Sequence, residues 1–322
     1  MVMKKTFLAS LFLIFSLALF FTSHPAKAQE KPKGFTVNPF FQDVTLEKDQ
    51  AVASFNVAIT NNTENLVVLK LSVLDFGTLD ESGGVAFLGA AENLTNKYAL
   101  ASWLSLEKDG LVLDPDEKQS VKITIQNKES LSPGGHYAAI LAKVDKDDKQ
   151  NSEPLEVAFD SSFSSLIFAR KIGGEIYELA LKSQEVQKGF IGLPESIRLR
   201  FQNSGNVHIV PRGIVKLIDP LGREVGRGII NEESGIILPE TFRVFKVPLK
   251  NISSVFIPGK YIISTEYRYD GREAFETEQT TFSLIPWPFL AGLVLIIAGI
   301  IFWVRVKKCK AKKANNLEKS NC

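Results

Sequence analysis

Between residues 29 and 284 the chain alternates apolar and polar positions in short runs bounded by turn residues, and nowhere does it sustain a helical period. In "SFNVAIT" the residues Phe55, Val57 and Ile59 share one parity. In "VKITI" the same holds for Val121, Ile123 and Ile125, and in "SIRLRF" for Ile197, Leu199 and Phe201. A period of two puts one face of a strand on a core and the other in water. Many such strands at regular spacing predict an all-β body of the sandwich type.

The pattern occurs twice. "FNVAITNNTENLVVLKLSVLD" (Phe55–Asp75) has a partner in "IRLRFQNSGNVHIVPRGIVKLID" (Ile197–Asp219): three alternating apolar residues, an Asn (Asn61, Asn203), a polar turn, a second strand and an Asp. Further on, "VLDPDEKQSVKITI" faces "ILPETFRVFKVPL", and "SPGGHYAAILAKV" faces "IPGKYIISTEYRY". Pro115 precedes Pro239 by 124 residues, Pro133 precedes Pro258 by 125, and Tyr137 precedes Tyr261 by 124. Offsets this consistent identify a tandem repeat. The fold expected is all-β, two tandem Ig-like β-sandwiches followed by a single transmembrane α-helix. Pro-Gly before each Tyr reads as a turn, and each Tyr is expected to bury its ring and tie a loop backbone with its hydroxyl. The "NSGN" turn of "RFQNSGNVHIVPRG" is expected to need positive φ and local side-chain bonds, and His208, alternating with Val207 and Ile209, is expected to face solvent.

Two apolar segments flank this body. Lys4 and Lys5, the run from Phe7 to Phe21 and "AKA" at Ala26–Ala28 read as a signal peptide cleaved before Gln29. "LIPWPFLAGLVLIIAGIIFWV" (Leu284–Val304) carries no charge, and its length matches one hydrocarbon core. Trp287 and Trp303 lie near its ends, and Arg305, Lys307, Lys308, Lys310, Lys312 and Lys313 follow, so the body is expected outside and the tail in the cytoplasm. The organisation expected is a signal peptide at 1–28, a first sandwich with inserted loops at 29–173 and a second at 174–284. A membrane helix at 285–304 and a basic tail at 305–322, too short and polar to fold, complete it.

Charge follows the same division. Residues 29–284 hold 28 Lys and Arg against 35 Asp and Glu, a net of −7, while the segment from Ile285 holds 7 against 1, a net of +6. The overall charge of +2 is therefore no sign of a nucleic-acid partner, and none is expected; the tail is expected to hold anionic membrane lipid. Both cysteines, Cys309 and Cys322, lie in the tail, so the body has to fold without disulfides. Cys309 reads as a plain thiol, with acylation as the alternative.

Candidate chemistry is sparse. After signal removal two histidines remain, His136 and His208, in non-equivalent places. Without cysteine in the body or an i, i+4 histidine pair, no zinc site is expected, and without G-x-S-x-G or any other nucleophile constellation no enzyme is expected. No catalytic, cofactor or metal residue is assigned, and no cofactor. "DKDDKQNSE" (Asp145, Asp147, Asp148, Asn151, Glu153) lacks the order and the Gly of a calcium loop and reads as a solvated loop. "DPDE" (Asp114–Glu117) reads as a turn. The first repeat alone carries residues 76–102, read as a hairpin plus a short helix over one sandwich end, and Gly173–Gly174 reads as a hinge. "GFTVNPFFQDV" near the mature N-terminus reads as an outer strand of the first sandwich, with the Phe35–Val44 edge as the place where a partner strand could add.

"FTVNPFFQDVTLEKDQAVASFNVAITNNTENLVVLKLSVLDF", "WLSLEKDGLVLDPDEKQSVKITI" and "PGGHYAAIL" resemble the first domain of bacterial WxL-interacting proteins, and "FQNSGNVHIVPRG", "ILPETFRVFKVPL" and "IPGKYIIST" are similar to their second. The strand logic is also similar, more remotely, to the N-terminal domain of pilus chaperones. The resemblance implies a membrane-anchored, non-enzymatic adaptor at a bacterial cell surface, binding peptidoglycan or a surface protein. The alternative is a chaperone-like assembly factor that works by strand addition to an open sheet edge.

Overall fold

The computed structural model describes residues 34–89, 97–145, 162–187, 193–253, 257–285 and 287–320. The expected signal peptide and most of the "DKDDKQNSE" loop lie outside the described residues.

Ten strands build the first sandwich: β1 (Phe35–Asn38), β2 (Phe41–Leu46), β3 (Val52–Asn61), β4 (Val67–Thr78), β5 (Val85–Gly89), β6 (Leu104–Leu106), β7 (Gly110–Leu113), β8 (Lys118–Gln126), β9 (Gly134–Val144) and β10 (Ser162–Lys171). One sheet runs β1-β3-β8-β6 and the other β2-β10-β9-β4-β5, with β7 also on β4. In immunoglobulin terms these are A-B-E-D and A′-G-F-C-C′. The A strand changes sheets at the cis Asn38-Pro39 bond, and β2 then runs parallel to β10. Between the sheets lie Leu46, Val57, Ile59, Leu69, Leu71, Val121, Ile123, Ile125, Ile140 and Ile167, the inward parity of each strand.

The second sandwich comprises β11 (Leu179–Gln187), β12 (Ser196–Asn203), β13 (Arg212–Ile218), β14 (Glu224–Ile230), β15 (Phe242–Pro248), β16 (Lys250–Asn251), β17 (Gly259–Tyr269) and β18 (Arg272–Leu284). Its sheets are β11-β12-β15 and β16-β14-β13-β17-β18. Strands β3, β4, β8, β9 and β10 thus have counterparts in β12, β13, β15, β17 and β18. Helix α1 (Trp287–Ser320) follows, and its segment Phe289–Lys308 is long and apolar enough to cross a membrane. The helix continues through the basic tail, contrary to the expectation that the tail is too short to fold: it extends an existing helix and needs no nucleus of its own.

Particular side chains explain the repeat. Asn61 and Asn203 are both fully buried. The Asn61 amide donates to the carbonyls of Asn65, Leu113 and Asp114, and its oxygen accepts from Thr63 N. The Asn203 amide donates to Val207 O and Ile237 O, and its oxygen accepts from Gly205 N. Each Asn satisfies its own turn and the facing turn at once. That facing turn holds Asp116 (φ 62) or Glu240 (φ 57), each just after its proline, as a type II turn requires. The Asn turns themselves contain no positive φ, so that part of the expectation fails. Gly205 is required by a close approach, because a Cβ there would lie 2.1 Å from Ile176 O.

The tyrosine equivalence shifts by one residue. Tyr261 faces the core and donates its hydroxyl to Ile257 O at 2.7 Å, four residues back, as expected. In the first sandwich that position, 125 residues earlier, is His136: its Nε2 lies 2.8 Å from Ser132 O, again four residues back, and its Nδ1 lies 3.0 Å from Ala99 O. Burial pushes the His136 pKa below its ordinary value, and the two facing carbonyls only partly offset this. Tyr137 points the other way, out of the sandwich.

Candidate functional site

Tyr137 belongs to a row of aromatic side chains across the outer face of the β2-β10-β9-β4-β5 sheet: Phe41, Phe168, Tyr137, Phe76 and Phe87, one per strand. Ring centroids are 4.6 Å apart for Phe41 and Phe168, 5.4 Å for Phe168 and Tyr137, and 5.9 Å for Tyr137 and Phe76. Phe76 and Phe87 are register partners. The middle three are buried, together with Ala139 and Leu238 of the second sandwich. Phe41 and Phe87, at the ends, remain 39% and 43% exposed. The signal for this second buried face is present in β9, where every residue from Gly134 to Ala142 is buried, since a strand covered on both faces loses its alternation.

His208 sits on that row, 6% exposed, edge-on to Tyr137 at 5.8 Å and to Phe168 at 5.3 Å. The expectation that it faces solvent is overturned: Val207, His208 and Ile209 do alternate, but the first sandwich covers the face that alternation would have left wet. Its Nδ1 lies 3.4 Å from the Tyr137 hydroxyl and its Nε2 3.6 Å from Asp43 Oδ2. Burial works against the Asp43 carboxylate, yet the hydrogen bond and charge of His208, with Arg170 nearby, hold its pKa below the usual carboxylate range.

The junction is pinned on both flanks. At the expected hinge, Glu175 accepts from the amides of Gly173 and Gly174, and Asn206 binds Gly174 O and Ile176 N with its side chain and Gly135 N with its carbonyl. The Gly173–Gly174 segment is therefore a fastened corner. On the other flank the segment unique to the first repeat forms the β4–β5 hairpin and a 3-10 turn at Ala101–Trp103. The hairpin reaches past its own sandwich end to the second domain. Glu81 O accepts from Val244 N on the β15 edge, and the Glu81 carboxylate takes both Nε and Nη2 of Arg200 at 2.7 and 2.6 Å. Lys97 pairs with Glu240 at 2.7 Å.

Beside this junction runs β2, an edge strand. Leu166 N donates to Phe40 O and Ile172 N to Leu46 O, so in the parallel ladder Phe40, Gln42, Val44 and Leu46 turn their backbone groups to β10. Phe41, Asp43 and Thr45 turn theirs outward. Among the described residues no backbone group pairs with that outer edge; the Asp43 carbonyl takes only the Gln42 side-chain amide, at 3.1 Å. Phe40, 64% exposed, stands at its start. The Phe35–Val44 stretch singled out in the sequence thus supplies edge strands to both sheets, β1 to one and β2 to the other. The two histidines, by contrast, are not brought together: His136 lies in its own sandwich end and His208 in the junction. Among the described residues no group of three or more His, Cys, Asp or Glu is placed to hold a metal.

No protein-family model matches the chain, and no curated protein does. Solved structures similar to it include a chaperone–tip adhesin complex of CFA/I fimbriae biogenesis, 12% identical over 79% of this chain and 99% of that one, with a TM-score of 0.42. They also include the class 5 fimbriae chaperone CfaA, 13% identical over 79% and 100%, with a TM-score of 0.40. A third is the CsuC–CsuE chaperone–tip adhesion subunit pre-assembly complex of Acinetobacter baumannii, 11% identical over 76% and 97%, with a TM-score of 0.36. At these figures the likeness carries no argument about what this chain binds, and the Ig-like architecture rests on the strand order itself.

Proposed function

We propose that the chain is a membrane-tethered, non-enzymatic binding protein that holds an extracytoplasmic polypeptide by strand addition along the outer edge of β2. The observation that carries this reading is the edge: three residues with outward-facing backbone groups, next to exposed Phe40 and half-exposed Phe41, fixed against a pinned domain junction. Main-chain hydrogen bonds would supply affinity, and the apolar side chains would select alternate residues of the partner. A surface protein in transit offers such an extended segment, so the role is chaperone-like holding or assembly at the envelope. In this reading α1 crosses the membrane with the sandwiches outside, and Arg305, Lys307, Lys308 and the further tail lysines rest on the anionic lipid of the cytoplasmic leaflet.

The test uses the full chain in its native membrane. A photo-crosslinking residue at Phe40 is expected to trap an exported protein of defined size. Thr45→Pro, which removes an outward N–H and spares the ladder to β10, is expected to abolish the adduct with the unfolding midpoint retained. An adduct untouched by Thr45→Pro, or none at all, would overturn the reading.

A further inference from the structure

Among the described residues, the end of the second sandwich opposite the domain junction includes three features beside residues 193–195 of the β11–β12 connection. They are the β13–β14 turn Asp219–Arg223, the segment Lys250–Ile252 after β15, and the start of β17 beside the end of β18. Register fixes this: Ile218 pairs with Glu224 and with Ile262, and Gly259 with Leu284, while Arg212 and Arg268 mark the other end. Only Ile285 and Pro286 separate Leu284 from Trp287, the first residue of α1. Three Cα steps reach about 10 Å at most. The headgroup layer of one leaflet is roughly 5–8 Å deep. If α1 spans the membrane, this end of the domain therefore stands at the headgroups.

The residues there suit that position. Leu221 is 68% exposed at the tip of its turn and Ile252 is 58% exposed on its segment. The Leu221 turn is stiff: buried Asp219 accepts from Leu221 N, Arg223 N and Arg223 Nε, and Pro220 packs on Gly259. A well-braced turn that ends in an exposed leucine presents it deliberately. Lys250 and Lys260 are exposed, and among the described residues neither is in an ion pair, whereas Arg223 and Arg227 are taken by Asp219 and Glu224. Among the described residues the fully exposed acid at this end is Glu195.

We infer that the base of the second sandwich is a membrane-docking surface, with Leu221 and Ile252 in the interfacial layer of the outer leaflet and Lys250 and Lys260 on anionic headgroups. The inference rests on the proposed spanning of α1. Docking sets the body at a fixed attitude, so that the β2 edge is held at a fixed height above the bilayer.

The experiment places nitroxide labels at Leu221→Cys, Ile252→Cys and, as reference, Ile229→Cys, which is exposed on β14 away from the base. The chain is full length, with Cys309 and Cys322 replaced by Ser, in vesicles of phosphatidylcholine with or without phosphatidylglycerol. The ratio of oxygen to nickel-chelate accessibility is expected to be several-fold higher at 221 and 252 than at 229. Lys250→Glu with Lys260→Glu is expected to lower it in the anionic vesicles alone. Ratios at 221 and 252 equal to that at 229, in a chain that stays with the vesicles after alkaline carbonate, overturn the docking surface and leave the spanning reading intact. A chain released by carbonate overturns the spanning reading, and this inference with it. No effect of the double lysine change removes the anionic headgroups from the surface.

Discussion

Asn203 holds a buried turn with one side chain, and Asn61 does the same in the other repeat, so each works as a rivet between two loops. Asn203→Ala leaves the Val207 carbonyl and the Gly205 amide without partners, while Ile237 O keeps the Ile209 amide, and the change should cost about 2–3 kcal/mol. Urea unfolding of the variant should show this as a lower midpoint with an unchanged slope, and a cost below about 0.5 kcal/mol, the level of an ordinary surface change, would remove the riveting role. His136 allows a pH test at the same scale. Its pKa in the folded chain lies below the ordinary value of 6.5, so between the two the unfolded chain binds the extra proton. Its contribution to stability is therefore complete above pH 6.5 and is lost as pH falls from there toward the folded pKa. Thermal unfolding of the wild type is expected to drop across this window and that of His136→Gln to drop less. Equal profiles would mean that burial does not disfavour the charged ring. The Asp43 carboxylate acts in a separate, more acidic window: its stabilisation is present above pH 3.8 and is lost as pH falls through its lowered pKa.

Among the elements, strands and turns were legible because their causes are local. Parity marks the inward faces of β3, β8 and β12, and the proline turns before Asp116 and Glu240 are set by φ alone. What the sequence could not show is which outer face a second domain covers. Tyr137 on β9 and His208 in the β12–β13 connection occupy wet positions by parity, and both are buried with residues from the other repeat. A repeat offset of 124 or 125 is also too coarse to tell Tyr137 from His136 as the counterpart of Tyr261, since the two readings differ by one residue and therefore by one face. The Phe35–Val44 stretch was legible as an outer strand because it is extended and apolar, whereas its change of sheet at Asn38-Pro39 was not. Gly205 shows the opposite case. It looks like a turn glycine, yet its requirement comes from Ile176 in the connecting segment. Gly205→Ala should therefore unfasten residues 173–178 before it disturbs either sandwich, and limited proteolysis should cut there first in the variant. An unchanged cleavage pattern would show that the connection does not depend on this approach.

The whole molecule is two sandwiches that share a third core. Phe76, Tyr137, Ala139 and Phe168 from one side and Leu238 from the other form a buried cluster separate from either sandwich interior. Apolar burial of this kind couples the unfolding of the parts it joins, because neither can open without exposing it. Phe168 is the centre of the cluster, touching Phe41, Phe76, Tyr137 and His208. Phe168→Ala should cost about 3–5 kcal/mol, most of it from the junction. The wild-type chain is expected to unfold in one calorimetric transition and the variant in two, with small-angle scattering showing a longer maximum dimension once the junction opens. Glu81→Ala with Arg200→Ala, which loosens the hairpin flank and leaves the aromatic row intact, should broaden the transition without splitting it. If the hairpin variant splits it and Phe168→Ala does not, the hairpin rather than the aromatic row sets the angle between the domains. The β2 edge would then owe its fixed setting to the β4–β5 insertion that distinguishes the first repeat from the second.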